Sequence, residues 1–346
     1  MSEVVIRKTG AAGHVTLNRP AALNALTWDM CTAIDAALIE WAEDPAVSLV
    51  MIDGAGPRAF CAGGDIAAMY AAGRAGDFDS PRRFWRDEYR MNARIDAYPK
   101  PIVAFMQGFV MGGGVGIGGH ASHRIVGETT QVAMPECAIG LVPDVGGCAL
   151  LARAPGRLGE YLGVTGARMG PADAIHAGFA DAFVPEAGWD ALKARLAETG
   201  DIAAIGGEAP PPGRLAALGP QIDALFAGET AGDIARLLER DPSPFAAEAL
   251  AALRKGCPLS AACTVEMLHR LGDAPTVPRA LELEYRFTHR AMQDGDFLEG
   301  VRAAIIDKDR KPVWTHARVE DVPGIAVSRM LMPLGRDAWR MEEERT

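Results

Sequence analysis

The stretch Ile102-Val-Ala-Phe-Met-Gln107, running on into Gly108-Phe-Val-Met-Gly-Gly-Gly-Val-Gly-Ile-Gly-Gly119, decides the fold. Residues 102–107 are apolar almost throughout, which predicts a strand buried on both faces rather than one with a wet side. The glycines that follow predict a crowded turn into a helix start. There, missing side chains expose backbone N–H groups and the helix dipole favours negative charge. The span Pro101–Gly119 lacks charge for 19 residues, but its seven glycines and Gln107 make it a strand and tight loop, not a membrane helix. A second junction of the same kind is Phe60-Cys-Ala-Gly-Gly-Asp65, where Asp65 is placed to cap a following helix. Either junction alone would be only a turn. Two of them suit a pair of N–H donors aimed at one oxygen.

Outward from these junctions, strands are predicted at Val4–Arg7, His14–Asn18, Val47–Ile52 and Ser122–Val126. Helices are predicted at about Trp28–Asp44 and Pro81–Asp96, the latter with Ser80 as N-cap. Alternating strands and helices with apolar strands indicate an α/β layered fold. The character changes after Val184: Glu186–Thr199 reads as a helix, and residues from about Pro220 to Met292 read as helices broken at Pro244, Pro258 and Pro278. The expected organisation is an α/β part over 1–200, a Gly/Pro-rich linker over 201–219 and a helical region over 220–346. No repeat is obvious beyond a degenerate echo of the β-then-α passes. The tail beyond Val322, ending Met341-Glu-Glu-Glu-Arg-Thr346, reads as loosely held.

Composition excludes several classes. Of 346 residues, 35 are Lys or Arg and 45 are Asp or Glu, a net charge of −10. That balance argues against phosphate-backbone binding, so no nucleic-acid partner is expected. Hydrophobic residues at 49% and charged residues at 23% exclude a disordered chain. The six cysteines form no CxxC pair and are too sparse for a disulfide scaffold, which points to a reducing, cytoplasmic setting. The first residues carry an acid and no apolar stretch, unlike a secretory signal. No membrane association is expected.

Gly114, Gly116 and Gly119 match GxGxxG after a strand, but Ser122–Val126 follows too soon for a normal crossover helix, which counts against a dinucleotide site. His120 and His123 form an HxxH with no third ligand at sensible spacing, so no metal is expected. Cys61 has no histidine tied to it and reads as a small buried residue. In Met134-Pro-Glu136-Cys-Ala-Ile-Gly-Leu-Val-Pro-Asp144-Val-Gly-Gly147, two carboxylates stand in an apolar stretch. They either cap turns or have raised pKa values suited to acid–base or nucleophilic work. Arg82, Arg83, Arg86, Asp87, Glu88 and Arg90 read as the charged face of a helix.

Taken in order, these segments resemble the crotonase (enoyl-CoA hydratase/isomerase) superfamily, and within it the branch that hydrolyses 3-hydroxyisobutyryl-CoA. The resemblance rests on Val15-Thr-Leu-Asn-Arg-Pro20, Leu23-Asn-Ala-Leu26, Phe60–Ile66, Met111–Gly116, Ala133–Glu136, Pro143–Gly147, Glu284-Tyr-Arg286, Phe297–Ala303 and Ile306–Asp309. It implies a spiral of ββα units with a helical C-terminal part. The first 200 residues would then be the acyl-CoA-binding core. It also implies a thioester carbonyl held by two backbone amides, by motif position those of Ala62 and Gly113. Gly63, Gly64 and Asp65 would line the substrate, and Leu23, Ala25 and Leu26 would cradle the CoA moiety.

Hydratases of the superfamily carry one catalytic glutamate where this chain has Gly116, and glycine where it has Asp144. That exchange implies thioester hydrolysis in valine catabolism, with Glu136 as nucleophile or general base. Asp144 would orient the acyl hydroxyl and handle protons at the leaving sulfur, and Glu88 would bind the hydroxyl end. 3-Hydroxypropionyl-CoA also fits. No cofactor beyond the CoA of the substrate is implied, and a homo-oligomer is left open. The rivals are an enoyl-CoA hydratase or isomerase, a non-catalytic acyl-CoA-binding subunit and, more distantly, a NAD-dependent dehydrogenase.

Overall fold

In the computed structural model, which describes residues 2–341, the apolar runs become nine strands. These are β1 (Val4–Thr9), β2 (Ala12–Leu17), β3 (Leu49–Gly54), β4 (Ala59–Cys61), β5 (Ile102–Met106), β6 (Phe109–Met111), β7 (His123–Val126), β8 (Gln131–Ala133) and β9 (Ala182–Phe183). They form a six-stranded sheet ordered β1-β2-β3-β5-β7-β9 and a three-stranded sheet ordered β4-β6-β8. Only β1 and β2 pair antiparallel, as a hairpin; every other named pair is parallel. Each consecutive pair, β3–β4, β5–β6 and β7–β8, gives one strand to each sheet before the chain turns into helix or 3₁₀ turn. This threefold pass is the ββα spiral that the resemblance implies.

The chain divides into two compact units that interleave in sequence. The first comprises Met1–Gly64, Asp87–Ala133 and Arg168–Ala216; the second comprises Asp65–Arg86, Met134–Ala167 and Ala217–Thr346. All nine strands belong to the first. Its core sets Met51, Val103, Phe105 and Ile125 of the large sheet against Trp189, Leu192 and Leu196 of the helix Trp189–Thr199. Gly13 on β2 is required by packing, since a Cβ there would lie 2.3 Å from the Trp41 ring. The buried His14 and Asp53 are bonded at 3.0 Å, and Lys193 reaches the same Asp53 oxygen at 2.7 Å.

The second unit is helical, centred on Pro258–Leu271, which is buried around most of its circumference as a core helix must be. The helices Gly147–Arg153 and Leu158–Thr165 pack on it. Capping follows the sequence: Thr27, Asp65, Thr230, Ser243 and Thr276 each accept an amide of the following first turn. Pro244 and Pro258 occupy first-turn positions, where a missing N–H costs nothing.

Several expectations change. The helix expected from Pro81 runs Asp79–Asp96, and Asp77 rather than Ser80 accepts its early amide, that of Ser80, at 3.0 Å. Pro220 lies inside the helix Leu215–Leu225 instead of opening it. The span 201–219 holds a 3₁₀ turn at Ile202–Ala204 and the start of that helix. The tail to residue 341 is anchored rather than loose. Met330 and Leu331 are buried, Arg290 binds the carbonyls of Met330 and Met332, and the Trp339 indole N–H donates to the Arg86 carbonyl at 3.2 Å. Residues 342–346 of the expected loose tail lie outside the described residues.

Candidate active site

In the first unit the two glycine junctions meet. The helix Gly113–Gly118 rests against the end of β4 so closely that a Cβ on Gly114 would lie 2.2 Å from the Cys61 carbonyl oxygen. A Cβ on Gly63, which sits at φ +114°, would be 4.0 Å from the Gly113 nitrogen, and one on Gly113 would be 2.9 Å from Leu26 Cδ1. Leu26, Gly63 and Gly113 therefore share one cradle. Its loop is built on left-handed backbone at Leu23 and Asn24. The fully buried Asn24 side chain ties it down, accepting from the Arg19 amide and donating to the carbonyls of Ala55 and Ala59. The Ala25 carbonyl accepts from Arg19 at 2.7 Å.

One expected donor is corrected here. The Ala62 amide already donates to the Leu23 carbonyl at 3.0 Å, and the Leu26 amide donates to Gly63. Among the described residues no acceptor engages the amide of Gly64, and Gly113, first in its helix, has no intrahelical acceptor for its N–H. Gly64 lies two residues beyond Ala62 in the same turn.

Glu88 is a second correction. It is buried rather than part of the charged face with which the sequence groups it. Phe84, Trp85, Glu88, Tyr89 and Asn92 recur at helical spacing and form the inward stripe of Asp79–Asp96, and the arginines flank it. Glu88 Oε1 lies 2.7 Å from where a Gly113 Cβ would stand, so only glycine at 113 leaves it room. Cys61 is buried and desolvation pushes its thiol up to about 12, the signature of an inert packing residue. Gly116 is buried in the same helix and brings no carboxylate. Among the described residues, no group of three His, Cys, Asp or Glu side chains is placed to hold a metal.

In the second unit, Glu136 opens the 3₁₀ turn Glu136–Ile139, and Asp144 precedes the helix Gly147–Arg153. Both are buried, and the completely buried Glu284 of the helix Val277–Ala291 joins them. Burial pushes Glu136 well above the usual carboxylate range, and the charges of Asp144 and Glu284 push the same way. Glu136 Oε2 has no hydrogen-bond partner among the described residues. Burial drives Glu284 up to about 8, against the restraint of the Gly146 amide and with the push of Asp144. Burial and neighbouring acids of this kind favour the protonated form of a carboxyl group, the environment in which acid–base groups are found. The sequence reading quoted Glu284 within a motif but gave it no part in the site; its burial could not be read from spacing alone. Asp65, beginning the second unit, serves as the cap of Ile66–Arg74.

A family model for enoyl-CoA hydratase/isomerase matches residues 12–331, and the chain belongs to that family. Proteins named 3-hydroxyisobutyryl-CoA hydrolase, mitochondrial, are similar to it. The one from Gallus gallus is 38% identical, covering 97% of this chain and 90% of that protein. The one from Homo sapiens is 38% identical, covering 92% and 86%. Among solved structures, one described as an enoyl-CoA hydratase from Rhodobacter sphaeroides is 61% identical with a TM-score of 0.96, covering 98% of this chain and all of that one. Another, described as a carnitinyl-CoA dehydratase from Mycobacterium thermoresistibile, is 39% identical with a TM-score of 0.94, covering 99% of this chain and all of that one. The crotonase fold is thereby established.

Proposed function

We propose that the chain hydrolyses 3-hydroxyisobutyryl-CoA to the free hydroxy acid and CoA, as a step of valine breakdown, and also accepts 3-hydroxypropionyl-CoA. The observation that carries this reading is the placement of the acids. Gly116 offers no carboxylate where a hydratase keeps one, whereas Glu136 and Asp144 are both buried and the Asp144 charge raises Glu136. Water addition across a double bond wants two acids flanking one water, and that set is incomplete here. Thioester cleavage needs one nucleophile or base, a proton carrier and an oxyanion site.

In this reading the amides of Gly64 and Gly113 hold the thioester oxygen. The Glu136 carboxylate attacks the carbonyl carbon, the C–S bond breaks, and CoA leaves as thiolate and takes a proton from Asp144. Water then cleaves the acyl–Glu136 anhydride, releasing the hydroxy acid and restoring the carboxylate, and the water's proton returns to Asp144. A general-base variant has Glu136 activate water directly. Glu88 accepts the acyl hydroxyl, a demand that rejects unhydroxylated acyl groups more sharply than an apolar wall would. Leu23, Ala25 and Leu26 line the CoA moiety. The chemistry draws on no metal or redox cofactor, and the six buried, unbridged cysteines suit a reducing cytoplasm.

The description of the 61%-identical structure favours a second reading, an enoyl-CoA hydratase. One comparison separates the two: free thiol released from 3-hydroxyisobutyryl-CoA against hydration of crotonyl-CoA by the same preparation. Thiol release without hydration supports the hydrolase. Hydration without thiol release overturns it. Binding of both esters without turnover would leave a binding subunit.

A further inference from the structure

We propose that Glu284 is a positioning residue that holds the turn 143–148, and with it Asp144, in a conformation the chain would not otherwise keep. The inference rests on the hydrolase reading, in which Asp144 carries protons. Val145 sits at φ +56°, a left-handed conformation that opposes a β-branched side chain, and it is buried, so the strain cannot relax into solvent. Gly146 follows at φ +78°. Two consecutive left-handed residues turn the amides of Gly146 and Cys148 toward the helix Val277–Ala291. There, Glu284 Oε2 accepts the Gly146 N–H at 2.8 Å and Oε1 accepts the Cys148 N–H at 3.0 Å. The Asp144 carbonyl accepts the Gly147 N–H at 2.7 Å, and the Cys148 thiol donates to the Pro143 carbonyl at 3.1 Å.

Each bond inside the turn closes it locally. Glu284 fastens it to the helix Val277–Ala291, and it does so with both oxygens. A fully buried carboxylate near two other acids is costly to keep, and a core helix would accept a leucine there more cheaply. Glutamate at this position makes sense where both of its oxygens are needed. Glutamine has the same shape, but its amide nitrogen would face one of the two backbone N–H groups, donor against donor, so half of the grip is lost.

The test measures thiol release from 3-hydroxyisobutyryl-CoA for the wild type, Glu284→Gln, Val145→Gly and the double variant, per mole of folded protein and well below each Tm. The wild type must release thiol; if it does not, the hydrolase reading fails and Glu284 is not at issue. Given wild-type turnover, Glu284→Gln is expected to lose about 10- to 100-fold in kcat with KM changed less than about threefold, because positioning is lost and binding is not. Val145→Gly alone is expected to stay within about threefold of wild type. In the Glu284→Gln background it should recover at least about fivefold of kcat, since glycine adopts the turn without restraint. Wild-type kcat in Glu284→Gln, a loss confined to KM, or no recovery in the double variant overturns the inference. Should Glu284→Gln not fold, the double variant is expected to fold; its failure to do so would make Glu284 a core-packing residue only.

Discussion

Alanine at Gly114 probes how the donor cradle is built. Its methyl would stand 2.2 Å from the Cys61 carbonyl oxygen, 3.0 Å from the Cys61 carbonyl carbon and 3.1 Å from Cys61 Cβ. Favourable contact begins near ~3.5 Å, so helix and strand end must part by about 1.3 Å, and the nearest atoms are backbone that cannot rotate away. Overpacking of this kind costs about 1–3 kcal/mol. At roughly 2–4 °C per kcal/mol for a chain of this size or somewhat smaller, Tm should fall by about 2–12 °C. The helix start carries the Gly113 amide, and the strand end leads into Gly63 and Gly64. If these amides hold the thioester oxygen as proposed, a displacement of about 1 Å costs about 10²-fold in rate. Thermal unfolding and thiol release at saturating ester measure both effects. Gly118→Ala is the control: its methyl would meet Met106 Sδ at 2.7 Å and Phe60 Cε1 at 3.0 Å, ends of side chains that can move, so kcat should stay within about threefold. A Gly114→Ala protein with wild-type Tm and kcat would refute the packing reason for this glycine.

Two further outcomes follow from charge. Burial alone would raise the Asp53 carboxyl, but its bond to His14 and the charge of Lys193 outweigh that and hold it well below the usual range. A carboxyl depressed on folding stabilises above its unfolded pKa of about 3.9 and loses that contribution as pH falls below it. Asp53→Asn should therefore cost about 3 kcal/mol in denaturant titrations at pH 7. The gap from wild type should narrow below about pH 4; a gap independent of pH would contradict the pairing. For Glu136, which works as a carboxylate in the proposed reading, burial and the charges of Asp144 and Glu284 displace ionisation upward. The acid limb of kcat/KM should lie above the ordinary glutamate value of about 4.3, and a limb at or below that value would exclude Glu136 as its source.

Much of the fold was legible because its signals are local. Apolar runs ending in glycine gave the strand junctions, and Asp65 and Pro81 marked helix starts. The failures have physical causes. Which amide of Cys61-Ala-Gly-Gly64 stays available depends on a long-range bond, Leu23 carbonyl to Ala62 amide, that no local pattern encodes. Glu88 groups with the charged face because its sequence neighbours are charged, yet helical spacing puts it on the face with Trp85 and Tyr89. The short helices Gly147–Arg153, Leu158–Thr165 and Pro171–His176 show little amphipathic contrast because two of them are buried almost throughout. Pro220 lies inside a helix where propensity would stop one. Glu284 comes from a segment 140 residues downstream of Asp144, so only folding brings the third acid into view.

The most direct test of the central claim is thiol release from 3-hydroxyisobutyryl-CoA by wild type and Glu136→Gln side by side, with ester binding measured in parallel. The account predicts unchanged binding and a loss of about 10³-fold or more in kcat for the variant, as removal of a nucleophile or base demands. Turnover by Glu136→Gln within about tenfold of wild type would contradict it, because another group would then be doing the chemistry assigned to Glu136.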